Sequence, residues 1–149
     1  MREKFSSELK AAMKAGETRR VDTLRMIMAA LKDKDIEARG EGKTVSNEDI
    51  LALLQKMVKS RKESLEIYEK AARTDLAAQE SEEIAIIESF LPSQMSEVEV
   101  DEAIAATIAA TGAASIKDMG RVVSALKAKY PGRMDFGKVS ALVKGKLGA

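Results

Sequence analysis

Residues 119–147, MGRVVSALKAKYPGRMDFGKVSALVKGKL, carry Arg121, Lys127, Lys129, Arg133, Lys138, Lys144 and Lys146 against a single acid, Asp135. Ammonium and guanidinium groups at that density suit a phosphate backbone, because each phosphate they neutralise releases a condensed counterion. Tyr130 and Phe136 are the only aromatics in the stretch. Base stacking is therefore minor, and contacts would read phosphate and shape. A solubilising surface satisfies the same pattern, and on charge alone both readings stand. Gly120, in the first turn of its helix, admits close approach of either a packed helix or a phosphate.

Bond-making chemistry is harder to place. The 149 residues include no Cys and no His, which removes a thiol nucleophile, an imidazole base and zinc sites of the Cys/His kind. A Ser-Lys or carboxylate mechanism remains open in principle, yet nothing marks one out. The expectation is no catalytic residue, no metal ligand and no cofactor, with enzymatic status left open. Arg61 falls on an apolar stripe between Val58 and Leu65. A guanidinium there needs a carboxylate or must reach solvent, and Glu80 or Glu83 would pair with it structurally. Lys56, Lys59 and Lys62 lie off the stripe and read as a solvated face. Arg19, Arg20 and Arg25 crowd a helix start, against the macrodipole. They either bind phosphate or pair with Glu17 and Asp22.

The elements that must position these groups are helices. Apolar residues recur at helical spacing from end to end, aromatics make up 3% of the chain and prolines number two, so the fold class is all-α. Phe5, Leu9, Ala12 and Met13 line a first helix closed by Gly16. Leu24, Ile27, Met28 and Leu31 line a second. Gly40 and Gly42 interrupt, and Ser46 or Asn47 caps a long third helix through Ile50, Leu54, Met57, Val58, Leu65 and Tyr68. A fourth, near 75–90, carries Ile84, Ile87 and Phe90 and stops before Pro92. Ser96 and Glu99 have the spacing of a capping box, opening a helix through Val100, Ile104 and Ile108 to Gly112. Ser115 and Asp118 resemble another box, before a helix lined by Met119, Val122, Val123, Leu126 and Tyr130. Asp135 caps the last, with Val139, Leu142, Val143 and Leu147. The expected domains are an N-terminal one of about four helices, 1–92, and a three-helix one, 93–149.

Charge divides along the same chain. Residues 1–73 hold 17 bases and 13 acids, 74–116 hold nine acids and no base, and 117–149 hold eight bases and two acids. The total of +1 hides local fields that steer partners. No run of 18 apolar residues spans a membrane, no secretory signal is evident at the start, and the absence of Cys fits a cytoplasmic location.

Two stretches then become familiar. KSRKESLEIYEKAARTDLAAQESEEIAIIESFLP and KDMGRVVSALKAKYPGRMDFGKVSALVKGKL resemble the YqeY family of small bacterial proteins over about residues 4–147. The resemblance implies an all-α fold with a small C-terminal three-helix domain. It further implies that this domain is similar to the tail of the B subunit of the glutamine-dependent aspartyl/glutamyl-tRNA amidotransferase, which helps hold tRNA. A tRNA-binding role carried over residue by residue falls on Gly120, Arg121, Lys127, Lys129, Gly132, Arg133 and Lys138. The family's GRADG turn reads GRMDFG here, with bulkier Met134 and Phe136. The expected function is binding of tRNA or another structured RNA without catalysis by this chain alone. One alternative is an accessory factor of a carbon–nitrogen ligase with glutamine as amido-N-donor, a tRNA amidotransferase or other aminoacyl-tRNA machinery being the partner. Another is a protein–protein interaction module.

Overall fold

The computed structural model describes residues 1–148, and these fold into α-helices with one short 3-10 turn and no strand among them. The chain divides into two compact units, one of Met1–Leu91 and one beginning at Pro92.

The first unit holds α1 (Arg2–Ala15), α2 (Thr18–Gly40), α3 (Asn47–Lys70) and α4 (Thr74–Glu88). Their ends follow from local chemistry. Gly16 closes α1 in the left-handed region, φ 69°, and the Glu17 N–H donates to the Ala12 carbonyl at 3.0 Å, a Schellman closure. Ser46 caps α3 through a reciprocal box with Asp49. After α3 the chain makes the same closure with Ala72 at φ 56° and Arg73 N–H on the Tyr68 carbonyl at 2.9 Å. No glycine signals that stop.

Helix α2 packs against all three others, and α3 and α4 form the most extensive pair. Phe5, Leu24, Ile27, Ile50, Leu54 and Ile87 are fully buried at the centre. Phe90 lies beyond the end of α4 but stays in this core, with its ring edge-on to Phe5 at 5.1 Å. Met13, expected on the buried face of α1, is instead exposed. The reason is that α2 is the one helix on which α1 packs extensively, so the covered stripe is narrow.

The second unit holds α5 (Glu97–Thr111), a 3-10 turn at Ile116–Asp118, α6 (Met119–Lys129) and α7 (Phe136–Gly148). Ser96 and Glu99 form the capping box of α5, and Gly112 ends it at φ 66°. The Ser115–Asp118 signal opens the 3-10 turn before α6, with the Asp118 carboxylate accepting from the Ala114 and Ser115 N–H groups. Helix α6 lies between α5 and α7 over a core of Ile104, Val122, Leu126, Met134, Val139 and Val143. Leu142, expected on that face of α7, is exposed. It stands about 100° around the helix from Val143, outside the stripe that α6 covers.

Candidate nucleic-acid interface

The basic stretch occupies α6, the turn after it, and α7. Five of the seven expected residues, Gly120, Arg121, Lys127, Lys129 and Lys138, are exposed, Arg133 is half-buried, and Gly132 is buried. Gly120 faces open space, with nothing near the position a Cβ would take, so no helix of the described chain requires its smallness.

Arg121 donates to Asp118 Oδ1 at 3.0 Å. Asp118 is thus shared between capping and ion pairing. The two backbone N–H groups of Ala114 and Ser115 hold its carboxyl below the usual range, with Arg121 a smaller contribution. At 100° per residue, Lys129 falls on the same flank of α6 as Arg121, and Lys127 falls on the other. Lys127 Nζ stands 5.8 Å from the Phe136 ring centre and Lys129 Nζ 5.5 Å from that of Tyr130. Lys127 therefore sits with the first turn of α7, which also carries Lys138. The two aromatics lie half-buried beneath these ammonium groups, which leaves phosphate rather than a base as the fitting contact.

Helix dipoles sort these lysines further. Lys127 and Lys129 stand in the last turn of α6, where a cation is stabilised, whereas Lys138 stands in the first turn of α7, where it is not. Asp135 offsets that cost, its Oδ1 accepting from the Gly137 and Lys138 N–H groups at 3.0 and 3.3 Å.

The connecting turn is built rather than loose. Arg133 N–H donates to the Tyr130 carbonyl at 3.2 Å. Pro131 and then Gly132 at φ 72° fill the two central positions, the pattern of a type II turn. Only glycine takes the left-handed position without strain. The half-buried Arg133 side chain is tied to its own unit: its Nε donates to the Ser93 carbonyl at 3.0 Å. Met134 is 2% exposed, so the bulkier residue of GRMDFG fills the core rather than widening the turn.

Pairing separates the two units. In the first, Arg2, Arg19, Arg20, Arg61, Lys62, Lys70 and Arg73 each hold a carboxylate. Arg19 pairs with Glu82 and Arg20 with Glu8, not with Glu17 and Asp22 as the local sequence suggests, because neighbouring helices bring those acids closer. In the second, only Arg121 holds one, and Lys117, Lys127, Lys129, Lys138, Lys144 and Lys146 have no carboxylate at salt-bridge distance among the described residues. The pairing of Arg61 with Glu83 is the one the sequence pattern points to; the pairs of Arg19 and Arg20 are set by packing.

Two further groups of features bound the chemistry. Among the described residues no cluster of acids could hold a metal ion, and no helix is long and apolar enough to cross a membrane.

Comparison with known proteins gives concordant matches. The model of the family described as "Yqey-like protein" matches residues 2–147. A protein of Lachancea thermotolerans named "Altered inheritance of mitochondria protein 41, mitochondrial" is 34% identical over 99 residues, 65% of this chain and 52% of that protein. One of the same name from Vanderwaltozyma polyspora is 31% identical over 60% of this chain and 47% of its own length. A third of that name, from Pyrenophora tritici-repentis, is 28% identical over 85% of this chain and 71% of its own. The chain spans about half the length of the first two.

Proposed function

The chain belongs to the Yqey-like family, and on that premise we propose that it binds folded RNA, tRNA foremost, through the lysines of its second unit. The observation that carries this reading is the contrast in pairing. At least nine of the 17 cations of the first unit hold a carboxylate, whereas Lys127, Lys129 and Lys138 have none at salt-bridge distance among the described residues and face solvent at the facing ends of α6 and α7. Unmatched cations repel one another, and a polyanion relieves that repulsion while releasing counterions.

The role is binding, with no catalysis by this chain alone. It has no thiol or imidazole with which to activate glutamine, and any amide transfer to tRNA is assigned on this reading to a partner enzyme of the amidotransferase or aminoacyl-tRNA machinery. Fluorescence anisotropy of labelled tRNA titrated with the intact chain at low salt tests this reading. Saturable binding that weakens as salt rises is expected. A flat titration at about 50 mM salt, where phosphate contacts are strongest, would refute it.

A further inference from the structure

Three hydrogen bonds tie the segment that enters the second unit to the turn between α6 and α7. The Met95 N–H donates to the Arg133 carbonyl at 2.9 Å, Gln94 Nε2 donates to the Gly132 carbonyl at 2.7 Å, and Arg133 Nε donates to the Ser93 carbonyl at 3.0 Å. Arg133 is therefore bonded through both its backbone and its side chain, next to the buried Gly132. Met95 packs against the core of this unit, and Met134, next to Arg133, is 2% exposed. The second half of the turn, Gly132 to Met134, is thus held against the entering segment and the core.

That turn sets the separation between the end of α6, with Lys127 and Lys129, and the start of α7, with Lys138. We infer that Arg133 is a positioning residue: by clamping the Ser93 carbonyl it fixes the turn from which these lysines project, and it does not itself meet phosphate. This rests on the RNA-binding reading and sharpens it, since it divides the basic residues into contacting lysines and a structural arginine. The charge of Arg133 is also partly answered within the fold. The Glu99 carboxyl, kept low chiefly by the Ser96 N–H and hydroxyl, is lowered further by Arg133 nearby. A guanidinium is suited to the clamp because its Nε–H lies in a rigid planar fork. Lysine keeps the charge but has no donor at that place.

The distinction between clamp and contact is measurable in the intact chain with labelled tRNA, titrated from about 50 to 200 mM salt. Arg133→Lys and Arg133→Ala are both expected to weaken binding by roughly threefold to tenfold, the worth of a hydrogen bond lost, with the slope of log affinity against log salt unchanged. Lys129→Gln, by contrast, should lower the slope by about 0.7 to 0.9. Amide hydrogen exchange read by NMR supplies a signal independent of RNA. The Met95 N–H should exchange roughly threefold to tenfold faster in both Arg133 variants.

If Arg133→Lys binds as the parent does while Arg133→Ala loses slope, Arg133 is a phosphate contact and the inference is wrong. It is equally wrong if Met95 exchange does not change, or if exchange quickens but tRNA affinity holds. Should Arg133→Ala fail to fold, Arg133→Lys carries the test. If the unmodified chain binds no RNA at low salt, the functional reading is what fails, and Met95 exchange then decides by itself whether Arg133 anchors the turn.

Discussion

Arg61 stands where the period of α3 calls for an apolar side chain. Its Nε donates to Glu83 Oε2 at 3.1 Å, and the two side chains are 16% and 7% exposed. Its second nitrogen reaches the Met57 carbonyl, and Gln79 donates to the other Glu83 oxygen. Arg61→Met alone leaves a buried carboxylate unmatched and is expected to cost about 3 to 5 kcal/mol. Arg61→Met with Glu83→Leu should recover most of that loss in urea unfolding, because an apolar pair removes both desolvation costs. Glu80, one turn earlier on α4, is not part of the bond. Its Oε2 is buried without a hydrogen-bond partner, although the residue as a whole is only half-buried. Burial first and Glu83 second push its carboxyl above the ordinary 4.5, with Arg61 opposing. The folded chain then holds this proton more tightly than the unfolded one, so stability falls as pH rises through the folded pKa. Glu80→Gln should abolish that fall: its advantage over the parent in unfolding should be absent below about 4.5 and grow toward neutral pH. An equal difference at all pH values would contradict the assignment.

Helix ends show what can be learned before folding and what cannot. Ser46, Ser96, Gly16 and Gly112 act where their sequence context places them, because a capping hydroxyl and a left-handed glycine work within four residues of themselves. Ser96→Ala is expected to cost about 0.5 to 2 kcal/mol in urea unfolding. The stop after α3 carries no such signal. Ala72 takes φ 56°, a conformation that costs a residue with a Cβ roughly 1 to 2 kcal/mol. Ala72→Gly should therefore raise stability by up to about 1 kcal/mol even though glycine loosens the unfolded chain. A loss of stability would show that the turn is not strained. Periodicity likewise names a face but not how far a neighbour covers it, hence the exposure of Met13 and Leu142. Arg61 on its apolar stripe announced a carboxylate partner, and Glu83 is one of the two expected, but Arg19 and Glu82 meet across 63 positions, and only the packing of α2 on α4 brings them together. For the same reason the seven basic-stretch residues could be named from the sequence, but not the division among exposed lysines, the Asp118-bound Arg121 and the clamped Arg133.

At the scale of the whole molecule, a net charge of +1 conceals a group of exposed lysines on the second unit with no carboxylate at salt-bridge distance among the described residues. The second unit includes Pro92–Met95 in its hydrogen bonding. A fragment from residue 92 should therefore fold by itself, whereas one from residue 94, lacking the Ser93 carbonyl, should unfold at lower urea. The measurement that bears most directly on function is the salt dependence of tRNA binding by the intact chain, set against two triple variants. Lys127→Gln, Lys129→Gln and Lys138→Gln together should weaken binding and reduce the slope of log affinity against log salt by about 2 to 3, one phosphate contact for each lysine. Lys56→Gln, Lys59→Gln and Lys62→Gln together should leave both nearly unchanged. Equal losses from the two sets, or no binding by the parent at low salt, would contradict a phosphate-binding surface on the second unit.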